Sequence, residues 1–379
     1  GGTPNYSYSW VASNGGSLVG TPANTEDLTS LIAGDYTCTI TDDNGCQETH
    51  TKTITEPAAL AATSVVTNVV CNGAATGAIN ISVTGGTPNY SYSWLASNGG
   101  SLGGNLANTE DLSSLIAGDY TCTITDDNGC QETHTKTITE PAALAATSVV
   151  TNVDCFGNST GAINITVTGG TPNYSYSWVA SNGGSLVGTP ANTEDLTSLI
   201  AGDYTCTITD DNGCQETHTK TITEPAALAA TSVVTNVVCN GAATGAINIS
   251  VTGGTPNYSY SWLASNGGSL GGNLANTEDL SSLIAGDYTC TITDDNGCQE
   301  THTKTITEPA ALAATSVVTN VDCFGNSTGA INITVTGGTP NYSYSWVASN
   351  GGSLGGNPAN SEDLTSLIAG DYTCTITDA

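Results

Sequence analysis

Cysteine is the residue type with the most chemistry to offer: thirteen stand in a chain of 379 residues that holds no methionine. They recur in ordered sets of three, Cys71, Cys122 and Cys130, then Cys155, Cys206 and Cys214, then Cys239, Cys290 and Cys298. In a secreted protein such a pattern reads as disulfide chemistry, and an odd number per set leaves one thiol free or bonded elsewhere. The middle cysteine is the odd one. Cys206 alternates with Tyr204 and Ile208, so Cys38, Cys122, Cys206, Cys290 and Cys374 read as small buried hydrophobes carrying free thiols.

Other side chains suggest weaker chemistry. A single lysine recurs as Lys52, Lys136, Lys220 and Lys304, in a position where an intramolecular isopeptide bond is conceivable; the plainer reading is a snorkelling stem whose ammonium pairs with Glu132. Glu132, His134 and Lys136 share one strand face, but the lysine beside them opposes a metal. Asp126, Asp127 and Asn128, with Glu140 and Asp154, offer oxygen ligands for calcium between repeats, although turn chemistry alone explains Asp-Asn-Gly. Calcium is the one cofactor considered; otherwise none is expected. Tyr90, Tyr92 and Trp94 could stack on sugar rings, but their spacing of two places them on one face, and Tyr92 and Trp94, with Tyr120, read as core. The row Thr133, Thr135, Thr137 and Thr139 resembles an ice-binding surface and is explained as well by threonine's strand preference. Sequons at Asn89, Asn158 and Asn164 are expected by chance in so polar a chain. No serine, histidine and carboxylate are laid out as a triad, and no glycine loop is set to hold phosphate, so no enzyme is read.

The elements that position these groups are strands. AGDYTCTITDDNGC occupies 33–46, 117–130, 201–214 and 285–298, and its start returns at Ala369. Tyr120, Cys122 and Ile124 alternate with threonines, a period of two that fits a strand with one buried face. Asp127-Asn128-Gly129 accepts the positive φ of a tight turn, and Cys130–Thr139 alternates again until Glu140-Pro141 stops it. The unit is a β-hairpin. GGTP at 1, 85, 169, 253 and 337 sets a repeat of 84 residues,. A second period is laid over it, since VVCNGAATG at 69 and 237 alternates with VDCFGNSTG at 153 and 321.

With Glu-Pro as the seam, complete modules span 57–140, 141–224 and 225–308. Residues 1–56 then lack the first strands and 309–379 the last, as expected of a window from a longer array. Within 57–140, Leu60–Cys71, Ala78–Thr84, Tyr90–Ala96 and Asp111–Ile116 read as strands before the hairpin, with no helical period anywhere. Six or seven short strands in such a length predict an all-β, antiparallel sandwich. Tyr120, two residues before Cys122, resembles the tyrosine corner of immunoglobulin-like domains, with Trp94 on strand C and Ile79, Ile81 or Val83 where the usual strand B cysteine would stand. Tandem modules without a linker predict an elongated, stiff rod. In such a topology the first and third cysteines of one module lie at opposite poles, beyond the reach of a disulfide. Bonds between neighbours, Cys71–Cys214 and Cys155–Cys298, are therefore favoured, leaving Cys46, Cys130, Cys239 and Cys323 to partners outside the chain. Bonds within modules, Cys71–Cys130, Cys155–Cys214 and Cys239–Cys298, remain the alternative.

Four lysines against 34 carboxylates give a net charge of −30, which repels nucleic acid and anionic lipid. No apolar run is long enough to cross a membrane as a helix. Neighbouring modules of the same chain are the partners expected, with a surface or glycan ligand at a tip elsewhere.

GGTPNYSYSW, AGDYTCTITDDNGC and TITEPAAL in fixed order resemble the SprB-type repeat of very large cell-surface adhesins in gliding Bacteroidetes. The resemblance implies an extracellular, surface-displayed filament or adhesin exported by the type IX route. Cys122 stands where that family usually has an apolar residue, and Glu132, His134 and Lys136 where its inward strand G positions are alanine and valine. A multivalent glycan- or calcium-dependent binding array is the alternative reading.

Overall fold

The computed structural model describes all residues, 1–379, as strands and turns without helix. By its internal contacts the chain divides into two compact units, residues 1–147, 166–175 and 208–216 in one, and 148–165, 176–207 and 217–379 in the other. The 57–140 segment lies within the first unit and 225–308 within the second.

In 57–140 six strands form: A (Ala61–Thr67), B (Gly77–Thr84), C (Ser91–Ser97), E (Leu112–Leu115), F (Gly118–Thr125) and G (Gln131–Ile138). They pair antiparallel as two sheets, A-B-E and C-F-G. This is an immunoglobulin-like sandwich. Alternation decides which face is inside: Tyr120, Cys122 and Ile124 are buried along F while the threonines between them are not. Opposite them in register lie Lys136, His134 and Glu132 of G. Their half-buried stems close the margin of a core made by Ile79, Ile81, Trp94, Leu112, Leu115 and Ile138.

Two features hold the sheets face to face. The Tyr120 hydroxyl donates to the Ile116 carbonyl at 2.8 Å and accepts from the Ser101 amide at 3.1 Å, which is the tyrosine corner. The Trp94 indole donates to the Thr109 carbonyl at 2.9 Å. Along the open side, G leans on A: His134 Nε2 lies 3.0 Å from Ser64 Oγ, and the Val69 amide donates to the Thr139 carbonyl at 3.0 Å.

That contact corrects the expected strand A. The expected strand runs on to Cys71, but the pairing with B stops at Thr67. Asn68 Oδ1 accepts the Thr139 amide at 3.0 Å, so the next residues follow the end of G instead of B. The longest strands have eight residues, roughly 26 Å at about 3.3 Å each.

The 225–308 segment repeats the arrangement, with the core Ile247, Trp262, Leu283, Tyr288, Cys290 and Ile306. Within the first unit, Ser7–Ser13, Gly34–Thr41 and Gln47–Ile54 form a C-F-G sheet alone. Within the second, Ser343–Ser349 pairs with Asp371–Thr377, the last strand. Cys374, expected to be buried, is half-exposed there, because no strand G lies beside it.

Candidate functional site at the module seams

Each hairpin turn is built around one aspartate. Asp126 is 4% exposed, and its carboxylate accepts the amides of Thr87 at 2.8 Å, Asn128 at 3.0 Å and Cys130 at 2.8 Å. The Thr87 amide above all, with those of Cys130 and Asn128, holds the Asp126 pKa below the usual carboxylate value. The same ring around Asp210 fixes Cys214 through its amide at 2.8 Å. A cysteine at the end of such a turn is therefore held in place before any bond forms.

The opposite pole of a module carries the A–B loop. In 57–140 it is anchored to the chain's next junction, since Glu140 accepts the Gly73 amide at 2.6 Å and Asn72 donates to the Pro141 carbonyl at 3.0 Å. Within the first unit Cys71 of this loop is bonded to Cys214, with Cα atoms 5.7 Å apart. Beside the bond, Asn212 Nδ2 donates to the Val70 carbonyl at 3.2 Å. Within the second unit Cys155 is bonded to Cys298, again at 5.7 Å, and Asn296 donates to the Asp154 carbonyl at 3.0 Å. Both bonds span 143 residues and join an A–B loop to the hairpin turn of the following repeat.

The remaining cysteines divide by burial. Cys46, Cys130, Cys239 and Cys323 are exposed thiols, while Cys38, Cys122, Cys206 and Cys290 are buried. Burial pushes the Cys122, Cys206 and Cys290 thiols up to about 11, so they are protonated and unreactive at neutral pH.

Other candidates are accounted for locally. No three histidine, cysteine, aspartate or glutamate side chains are gathered as a metal ion requires. Of the calcium candidates, the Asp126 carboxylate serves its turn and that of Glu140 holds Gly73, while Asp127 and Asn128 bond Thr87 as donors, through the Asp127 backbone amide and Asn128 Nδ2. Asp154 accepts from Thr160 Oγ1 at 2.8 Å and Asn158 Nδ2 at 3.1 Å. The expected Lys136–Glu132 pair is not formed; on the matching strand of the first repeat His50 Nε2 lies 3.9 Å from Glu48. Both groups reach water from the sandwich margin, where a fixed pair gains little. His134 has its pKa lowered by burial first and by Lys136 second, which keeps it neutral beside Ser64. Tyr92 packs half-buried on the core, and burial with Glu110 raises its pKa to about 12. Tyr90 is tied down too, donating to the Gly85 carbonyl at 2.7 Å.

The family model of the SprB repeat matches residues 63–99, 147–183, 231–267 and 315–351. The chain contains four SprB repeats. Each match begins in strand A and ends just after strand C, so the hairpin that supplies Cys214 and Cys298 lies outside the matched segment. No curated protein sequence matches the chain. Among solved structures, the eight N-terminal Ig domains of Down syndrome cell adhesion molecule align over 98% of this chain and 68% of that chain, at 11% identity and a TM-score of 0.31. The insect immune protein hemolin aligns over 81% and 93%, at 12% identity and a TM-score of 0.25. A complex of Dpr2 and DIP-Theta Ig domains aligns over 66% and 98%, at 13% identity and a TM-score of 0.25.

Three seam features escape a reading of isolated motifs: the asparagine that bridges repeats, the Glu140 anchor, and Phe156. The alternation of CNGAATG with CFGNSTG signals the last of these, because it changes the residue that follows the seam cysteine.

Proposed function

We propose that this array is part of the shaft of an extracellular, cell-surface adhesin: a fibre of SprB repeats whose task is to bear tension between the cell and a distant contact. The bond from the A–B loop of one repeat to the hairpin turn of the next carries this reading, because it is made twice at one separation of 143 residues. Successive bonds overlap. A pull applied across residues 71–298 is carried through Cys71–Cys214, back along 155–214, and out through Cys155–Cys298. Fully unfolded, that path is roughly 200 Å long, against roughly 770 Å for the same stretch without the bonds. A repeat that unfolds under load is thereby kept from paying out its full length. The type IX export route and a role in gliding come with the adhesins that carry such repeats.

Single-molecule pulling on the whole chain tests the shaft. Contour length should increase by roughly 570 Å when dithiothreitol is added; equal lengths in oxidising and reducing buffer would contradict it. Antibody raised against the array should label intact, unpermeabilised cells, and labelling only after permeabilisation would contradict surface display.

A further inference from the structure

The two kinds of seam differ, and only one of them offers an aromatic. After Cys71 comes Asn72, whose amide is spent on the Pro141 carbonyl at 3.0 Å. After Cys155 comes Phe156, 58% exposed. Single exposed hydrophobic residues are ordinary and carry no meaning by themselves. Phe156, however, lines a depression of about 430 Å³ together with Asn158, Leu228, Gln299 and the Cys155–Cys298 bond, all within the second unit. Such a volume falls in the range of small-molecule sites.

Its side-chain polar groups are two neutral amides, Asn158 and Gln299. Gln299 Nε2 donates to Thr293 Oγ1 at 3.2 Å and Asn158 Nδ2 to Asp154 at 3.1 Å. Each amide is oriented by that bond, and each keeps a carbonyl oxygen without a partner in the chain. The lining contains no cation, and the chain carries a net charge of −30. Phosphate, sulfate and acidic sugars are therefore disfavoured. A ligand that suits an apolar ring and oriented neutral amides, and brings hydroxyls without charge, is a neutral sugar.

We propose that the Phe156 seam is a binding site for a neutral saccharide, with Phe156 packing against a hexose ring and Gln299 and Asn158 accepting its hydroxyls. The same loop sequence at 321–329 carries Phe324, which is fully exposed. An aromatic alone is thus present there, while the pocket around Phe156 takes its other wall from Leu228, Cys298 and Gln299 of the following repeat. Sites of this kind recur once per 168 residues, at every second seam, so that a long array would bind weakly at each site and firmly by number. The inference supplies a ligand class for the adhesive reading but rests on the geometry of the seam itself. A shaft that binds no sugar would still pass the pulling test and would fail the one below.

The test is saturation-transfer NMR and titration of the oxidised whole chain with maltose, cellobiose and lactose as neutral probes, and sialyllactose as the anionic one. At least one neutral disaccharide should bind, with transfer from aromatic protons, and more tightly than sialyllactose. Phe156→Ala should weaken binding at least about fivefold, Gln299→Ala should also weaken it, and Phe324→Ala should leave it unchanged. The proposal is overturned if no neutral probe binds, if Phe156→Ala binds like the parent, or if sialyllactose binds as well as lactose.

Discussion

Asp126 shows how much one side chain decides. Its carboxylate takes three part-buried backbone amides of the turn, and an amide that loses its acceptor costs more than a formed bond gains. Because its pKa is lowered in the folded chain, its contribution is present above the unfolded aspartate value near about pH 4 and is lost as pH falls through the folded value. Asp126→Asn should therefore destabilise the 57–140 segment at pH 7, with the difference from the parent shrinking below about pH 4. Hydrogen exchange resolves this with 225–308 as internal control, and a difference independent of pH would count against it. The thiols give a second prediction at this scale. Iodoacetamide at neutral pH should label Cys46, Cys130, Cys239 and Cys323 quickly and Cys122, Cys206 and Cys290 only after unfolding,. Fast native labelling of Cys122 would contradict the burial that raises its pKa.

Strands and their corners depend on close approach. Gly118 opens strand F with φ of 151°, and a Cβ there would lie 2.0 Å from the Gly100 amide nitrogen. Gly118→Ala should cost about 3 kcal/mol or more, since backbone must move against backbone. Tyr120→Phe removes the hydroxyl from between Ile116 and Ser101 and should cost about 1–3 kcal/mol. Faster exchange confined to the 57–140 amides is the expected readout for both; rates equal to those of 225–308 would refute them. The hairpin and the corner were legible in the sequence because every cue is local: alternation, Asn-Gly, and a tyrosine two residues from an inward cysteine. The end of strand A was not. Valines continue past Thr67 as Val69 and Val70, and what ends the pairing is Asn68 turning to an amide 71 residues away. Spacing of two likewise shows that Lys136 and Glu132 share a face but not that their charged ends meet.

At the scale of the whole molecule, repetition made the 84-residue unit plain, while the seam is a property of two repeats together. The favoured pairing of Cys71 with Cys214 was open to reasoning because the poles of a sandwich are far apart and the poles of neighbours are close. The pocket at Phe156 was not legible, for its walls come from segments more than seventy residues apart that only folding brings together. The central claim is that covalent bonds tie each repeat to the next, and one cleavage decides it. Lys52, Lys136, Lys220 and Lys304 are the only basic cleavage sites, so a lysine-specific protease releases 53–136, 137–220 and 221–304. With free thiols blocked and the chain unfolded before digestion, these three fragments should stay together as one species and separate only on reduction. If they separate without reductant, each holding a bond such as Cys155–Cys214 inside itself, the repeats are locked singly and the stapled shaft is wrong.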